Sequence, residues 1–251
     1  MSIKCLVVFT ALIFPVLSAS AESVRFVSPD AQTSLIELYT SEGCSSCPPA
    51  DRWLSNLRNS EKLWKEFVPL AFHVDYWDYI GWKDRFASPY YGVRQRLYAQ
   101  HRDISTVYTP GIILNGKEWR DWYRYKQPTN TPGQNVGRLQ LDLNREKLKA
   151  QFSPIQLSND APREKLNLHI AVLGFDIVTE VKAGENEDRR LQHDFVVLAH
   201  KVETLKRQQR FYQVETELPQ ADINSKTLAI AAWVSRHNHP KPLQAVGGWL
   251  P

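Results

Sequence analysis

Cys44-Ser45-Ser46-Cys47 holds the residues of this chain best suited to chemistry. Thiols at i and i+3 come within bonding reach where a turn runs into a helix. Free backbone N–H groups and the positive end of the helix dipole stabilise a thiolate there. One sulfur can then attack a disulfide, and the other can resolve the mixed disulfide that forms. The same spacing serves other ends. It can staple a loop, although so short a ring closes little chain and stabilises modestly. It can supply half a metal site, although zinc usually takes four ligands and no second C-x-x-C or paired-His motif completes a set. Copper carriage is a related reading, but the single methionine is Met1. Finally, the pair can sit unused on a scaffold with another role. No metal site and no cofactor is expected.

The flanking segments must position the pair. Ser34–Tyr39 (SLIELY) reads as a buried strand, followed by the turn-forming TSEGCSSCPPAD. From Pro49 the apolar residues Trp53, Leu54 and Leu57 follow helical spacing. Proline suits the first helical position, so this helix should begin nearer Pro48 than Cys44. Glu42 stands close enough in sequence to raise the Cys44 pKa, because like charge disfavours a thiolate. Further along, Glu61–Phe67 reads as helical, Val68–Val74 as a second strand and Tyr90–His101 as a helix. Gly111–Leu114 reads as a strand, Asn115-Gly116 as a hairpin turn and Val136–Gln151 as a helix. Residues 33–151 thus alternate strand and helix in an α/β pattern. After Phe152 the runs Leu166–Phe175, Leu191–His200, Phe211–Leu218 and Leu228–Val234 read as strands. They predict a second, mostly antiparallel β domain over 155–251.

Composition narrows the class. The chain has 251 residues, 43% hydrophobic and 23% charged, values of an ordinary globular protein rather than a disordered or fibrous one. Its formal charge of +4 is spread without a run of five like charges, so no nucleic-acid partner is expected. Residues 1–21 place Lys4 before an apolar run from Cys5 to Leu17, then Ala19-Ser20-Ala21. That order predicts a signal peptide cleaved after Ala21. Its apolar run is too short to span a bilayer, so no stable membrane anchor should remain. Cleavage would discard Cys5, leave Cys44 and Cys47 as the only thiols, and place them in an oxidising compartment, periplasmic or secreted.

Strand–CxxC–helix, followed later by Thr109-Pro110, Gly111–Leu114 and Asn115-Gly116, resembles the thioredoxin fold. More narrowly, ELYTSEGCSSCPPAD, FHVDYWDYIGWKDRFASP, VYTP, GENEDRRLQHDFVVL and LQAVGGW resemble the DUF1223 family of secreted thioredoxin-like proteins. The resemblance covers nearly the whole chain after residue 21. It implies an α/β thioredoxin-like domain with a helical and aromatic insert, plus the C-terminal β domain. It also implies thiol–disulfide oxidoreductase chemistry toward a protein or small-thiol partner. Cys44 would attack and Cys47 resolve, while a cis Thr109–Pro110 bond would help present substrate backbone. In that layout His73, Asp75, Trp77 and Asp78 lie at the end of the second strand, where open α/β sheets place ligands. Trp77 is then a substrate-binding candidate and Asp75 a proton acceptor for the resolving thiol. A plainer reading has His73 and the aromatics pack the insert, while the acids cap helices or pair with Lys83 and Arg85. His237 and His239 read as part of a solvated turn. The rival to exchange is a non-catalytic envelope binding module whose disulfide is structural.

Overall fold

The computed structural model describes residues 23–125, 127–128, 134–155 and 164–251; the expected signal peptide lies outside them. The chain begins with β1 (Ser23–Val27), β2 (Ser34–Thr40), helix α1 (Pro48–Asn56), β3 (Phe67–His73) and helix α2 (Pro89–Gln100). Then come β4 (Gly111–Leu114), β5 (Lys117–Glu118), β6 (Gly137–Asn144), β7 (Lys147–Pro154), β8 (Leu166–Gly174), β9 (Ile177–Glu180) and β10 (Arg190–His193). Last are β11 (Val196–Arg207), β12 (Tyr212–Glu217), β13 (Leu228–Arg236) and β14 (Pro242–Trp249).

Every residue of β2 and β3 is buried, as expected for strands covered on both faces. They pair in parallel, and β4 runs antiparallel on the other side of β2. Asn115-Gly116 closes the β4–β5 hairpin with both residues at positive φ, 51° and 80°. β3 meets β11 in parallel at Ala71 and Val196, and β11 runs antiparallel to β8, which continues into β13 and β14. The far end of β11 pairs with β12, leading to β7, β6 and β1. β11 therefore belongs to both main cores. One gathers β2, β3 and α1 with Phe195 and Trp233; the other joins β6 and β7 with Leu168, Ile170 and Val246. Helix α2 lies over this sheet, its Tyr91 ring 4.9 Å from Phe72 and its Arg94 guanidinium 5.1 Å from Trp233.

This architecture corrects the expected class. The described residues are mostly β: fourteen strands, twelve of them in one mixed sheet, with two short α-helices of nine and twelve residues. That is not a thioredoxin-like α/β domain carrying a helical insert. Two segments account for much of the difference. Val136–Gln151 is a hairpin, not a helix. Leu139, Leu141 and Leu143 alternate inward on β6, and Leu148, Ala150 and Phe152 do so on β7. A period of two underlies the pattern, and counting only 136, 139, 143 and 148 conceals it. Glu61–Phe67 is a turn ending in β3, with Trp64 at φ 65°. Helix α1 does begin at Pro48, and α2 matches the predicted helix to within a residue.

Candidate functional site

Cys44 and Cys47 form a disulfide with a Cα–Cα distance of 5.4 Å. Cys47 is the N-cap of α1, and its carbonyl accepts from the N–H groups of Ala50 and Asp51 at 2.9 and 3.1 Å. Pro48 and Pro49 occupy the first two helical positions and bring no N–H. Two donors that could have faced a thiolate are therefore missing. The donor that does reach a sulfur is Ser46, whose hydroxyl lies 3.4 Å from Cys44 Sγ. Both cysteines are 0% exposed, while Ser45 and Ser46 stand in solvent.

A cluster of ionisable side chains lies buried next to this turn, brought together by five separate segments. Glu42 leaves β2, Asp51 sits on α1, His73 ends β3, Asp84 precedes α2 and His193 ends β10; all are buried. His73 Nδ1 meets Asp84 Oδ2 at 2.7 Å. The same carboxylate accepts from the N–H groups of Glu42 and Phe86, each at 2.9 Å. Burial alone would lower the His73 pKa, but the Asp84 charge and hydrogen bond outweigh it, so the imidazole titrates above its ordinary value. Burial would raise Asp84; His73 and the two backbone donors hold it below the usual carboxylate range. Asp51 goes the other way. Burial lifts its carboxyl, and the nearby His193, His73 and Thr40 hydroxyl offset only part of that. The Trp82 indole N–H donates to Glu42 Oε2 at 2.8 Å. The other Glu42 oxygen is 3.4 Å from His193 Nε2, near enough for ion pairing but without hydrogen-bond alignment.

The β9–β10 connection covers the cysteine turn. Asn186 is fully buried, and its Nδ2 donates to the carbonyls of Glu42 and Cys44 at 2.8 and 2.9 Å. Its Oδ1 accepts from Arg189 at 2.7 Å, and Glu185 Oε2 accepts from the Ser45 N–H at 3.1 Å. Ile80 packs close to both Gly43 and Gly184. A Cβ on either glycine would meet the Ile80 side chain at 3.1–3.3 Å. Side chains in both places would press on Ile80 from two directions.

The sequence candidates divide between these surroundings. The Thr109–Pro110 peptide bond is cis. Trp77 donates its indole N–H to Thr109 Oγ1 at 2.7 Å, and its Cβ lies against Gly43. Trp77 thus ties the proline loop to the cysteine turn. His73 enters the buried cluster. Asp75 faces α2, its Oδ1 3.5 Å from the place a Gly92 Cβ would take. Asp78 accepts from the Asp84 N–H at 3.2 Å, so it supports the cluster from outside. His239 is partly buried beside His101, their rings 4.1 Å apart, rather than standing free in a solvated turn. Asp51, Asp84, His193 and Asn186 are the neighbours the sequence reading passed over. Asp51 had a readable signal, one helical turn after Cys47; the other three arrive only through tertiary closure. Among the described residues, no three His, Cys, Asp or Glu side chains converge as metal ligands. Nor is any described helix long and apolar enough to cross a membrane.

A family model described as "Protein of unknown function (DUF1223)" matches residues 35–235. No curated protein matches the chain. Two solved structures resemble it. One is a crystal structure of a protein from Agrobacterium tumefaciens, 24% identical, covering 89% of this chain and 96% of its own, with a TM-score of 0.59. The other is HBP35 of Porphyromonas gingivalis, 13% identical, covering 89% of this chain and 76% of its own, with a TM-score of 0.57. At these identities the likeness concerns fold alone.

Proposed function

The chain belongs to the DUF1223 family, and from that premise we propose that it is an exported thiol–disulfide exchange protein working through Cys44 and Cys47. The observation that carries this reading is the pair at the start of α1 with the buried acid–base cluster at its back. In the reduced protein the Cys44 thiolate, beside the Ser46 hydroxyl, attacks a partner disulfide. A mixed disulfide forms and one partner thiolate leaves. Cys47 then gives up its proton and attacks Cys44 Sγ, releasing the second partner thiol. Two electrons pass to the partner and the Cys44–Cys47 bond forms. Asp51 is the proton acceptor in this scheme, because it sits in the first turn of α1 after Cys47 and burial raises its carboxyl pKa. Trp77, Thr109 and Pro110 would border an extended substrate.

The surroundings favour a weakly acidic dithiol. Pro48 and Pro49 remove donors, and the Glu185 carboxylate against the Ser45 N–H brings negative charge to the turn. A dithiol of this kind holds its protons and parts with electrons more readily than a strongly acidic one. Equilibration with glutathione buffers, and insulin reduction by wild type and Cys44→Ser, test the scheme. A titrating disulfide and an inactive variant are expected; no titration, or equal activity, sinks it. Asp51→Asn should slow resolution at neutral pH, with Asp75→Asn as the comparison.

One observation favours a second reading, in which the disulfide braces the turn of a non-catalytic binding module: neither sulfur residue has any exposed surface. The glutathione experiment separates the two, since a brace resists reduction until the fold opens. Export rests on the Lys4–Ala21 pattern. N-terminal sequencing of the secreted chain should begin at Glu22.

A further inference from the structure

Away from the disulfide, a cavity of about 700 Å³ opens between α2, β11 and residues 219–223. We propose that it is a binding site for an uncharged, largely apolar molecule that presents one hydrogen-bond donor, a hydroxyl or N–H, to His200 Nδ1. The volume lies in the range of small-molecule sites. Phe86, Val93, Leu97, Leu198, Val202 and Ile223 supply apolar lining. Val93, Leu97 and Val202 keep 39–46% of their surface exposed, as residues at an open mouth would. Arg85 and Asp222 are both exposed on the lining, one of each sign, so neither charge selects an ion.

The donor requirement comes from a chain of hydrogen bonds that ends at His200. Ser235 Oγ lies 3.2 Å from the Arg236 carbonyl, to which its proton goes. It must therefore accept from His169 Nε2, 3.0 Å away. Burial foremost, with the nearby Arg94 charge, pushes the pKa of His169 well below its ordinary value and that of His200 to about 3, so both rings are neutral at pH 7. A neutral His169 with its proton on Nε2 has a bare Nδ1. His200 Nε2, 3.3 Å away, supplies the proton for that contact. His200, which lines the cavity, is then left with a bare Nδ1 that accepts and cannot donate; its hydrogen bond within the described residues runs through Nε2 to His169. A flipped His200 ring would carry Nε2 away from His169 and lose that contact. The two imidazoles are within 5° of parallel and lie over Trp233 at 4° and 1° to its indole. A molecule offering only an acceptor would face the bare nitrogen with no proton between them.

Fluorescence titration with 2-naphthol and 2-methoxynaphthalene tests this on the wild-type protein. The probes share a ring system and differ in the donor. Saturable one-to-one binding is expected, with 2-naphthol preferred about tenfold, the worth of one net hydrogen bond. His200→Phe should keep apolar binding and bring the two affinities together. Val93→Trp, at the exposed mouth, should remove binding of both probes and remains decisive if His200→Phe does not fold. The proposal is overturned by no saturable 2-naphthol binding, by equal wild-type affinities, by a preference surviving in folded His200→Phe, or by undiminished binding to Val93→Trp.

Discussion

Behind the disulfide, His73 is buried against the Asp84 carboxylate; under α2, His169 is buried and His200 half-buried near the Arg94 guanidinium. Loss of water opposes the imidazolium in both places. The neighbour decides the outcome. Asp84 brings His73 above its ordinary pKa, whereas Arg94 adds to the lowering of the other two. The clusters also differ in how their charges are matched. Arg94 is matched by Glu37 through two bonds of 2.7 and 3.0 Å, and Tyr98 donates to the same carboxylate at 2.5 Å. The cluster at the cysteine turn leaves Glu42 Oε1, His73 Nε2 and both His193 nitrogens without hydrogen bonds. One region is a closed ion pair that holds α2 to the sheet. The other keeps buried proton sites open beside the Cys44–Cys47 bond.

The sharpest way to break the contrast is to unbalance the closed pair. Glu37→Gln leaves the Arg94 charge buried without its counter-ion, and should cost about 3–5 kcal/mol in urea unfolding. The double variant Glu37→Leu/Arg94→Met should lose much less, because no charge is stranded. It should also raise the His200 titration point, followed by NMR, only part of the way, since burial is the larger cause of the shift. Equal losses in the single and double variants would mean that the ion pair is not what holds the helix.

Asp84→Ala attacks the other region and should be somewhat milder, about 2–3 kcal/mol. It strips acceptors from His73 Nδ1 and from the N–H groups of Glu42 and Phe86, all in a buried place. The same unfolding measurement checks it; a loss below that of a surface substitution would place Asp84 outside the framework.

The sequence made some of this plain. Short apolar runs, one of them carrying Glu37, announced β2 and β3, Asn115-Gly116 announced a hairpin, and Pro48-Pro49 announced the start of α1. The cysteine pair was equally visible. The β6–β7 hairpin was not, because Arg145 takes φ 55° at its turn without a glycine or an Asn-Gly pair to mark it. The clusters were hidden for another reason. Asn186 lies 142 positions from the Cys44 carbonyl it binds, and no periodicity reports such a distance. Nor could residue type show that buried histidines in one chain would favour opposite charge states. That depends on which charge tertiary packing sets beside each.

Opposite shifts predict opposite pH profiles. The folded pKa of His73 is raised, so its stabilising contribution is complete below the unfolded value near 6.5 and fades as pH rises through the folded value. The loss caused by His73→Phe should therefore shrink above pH 6.5. His200 is depressed to about 3, so its contribution is complete above 6.5 and fades as pH falls toward 3. The loss caused by His200→Phe should shrink on acidification, by at most about 1.4 kcal/mol per pH unit. Urea midpoints from pH 4 to 8.5 would show it. Profiles moving in the same direction would defeat the account of the two neighbours.

The smallest effect on stability is expected at the cover over the cysteine turn, where it bears most on chemistry. Asn186→Ala removes donors to the Glu42 and Cys44 carbonyls and should cost about 1–2 kcal/mol. Leu57, Trp53 and β3 do not depend on it, so the loss should fall on local opening rather than on the whole fold. If the β9–β10 connection limits access to the sulfurs, that energy appears directly as rate. Dithiothreitol should reduce the Cys44–Cys47 bond about 5–30 times faster in the variant, with the urea midpoint only slightly lowered. If reduction instead waits for global unfolding, the rate will track the midpoint and the cover has no separate part. A reduction rate equal to wild type would show that Asn186 holds the turn without guarding it.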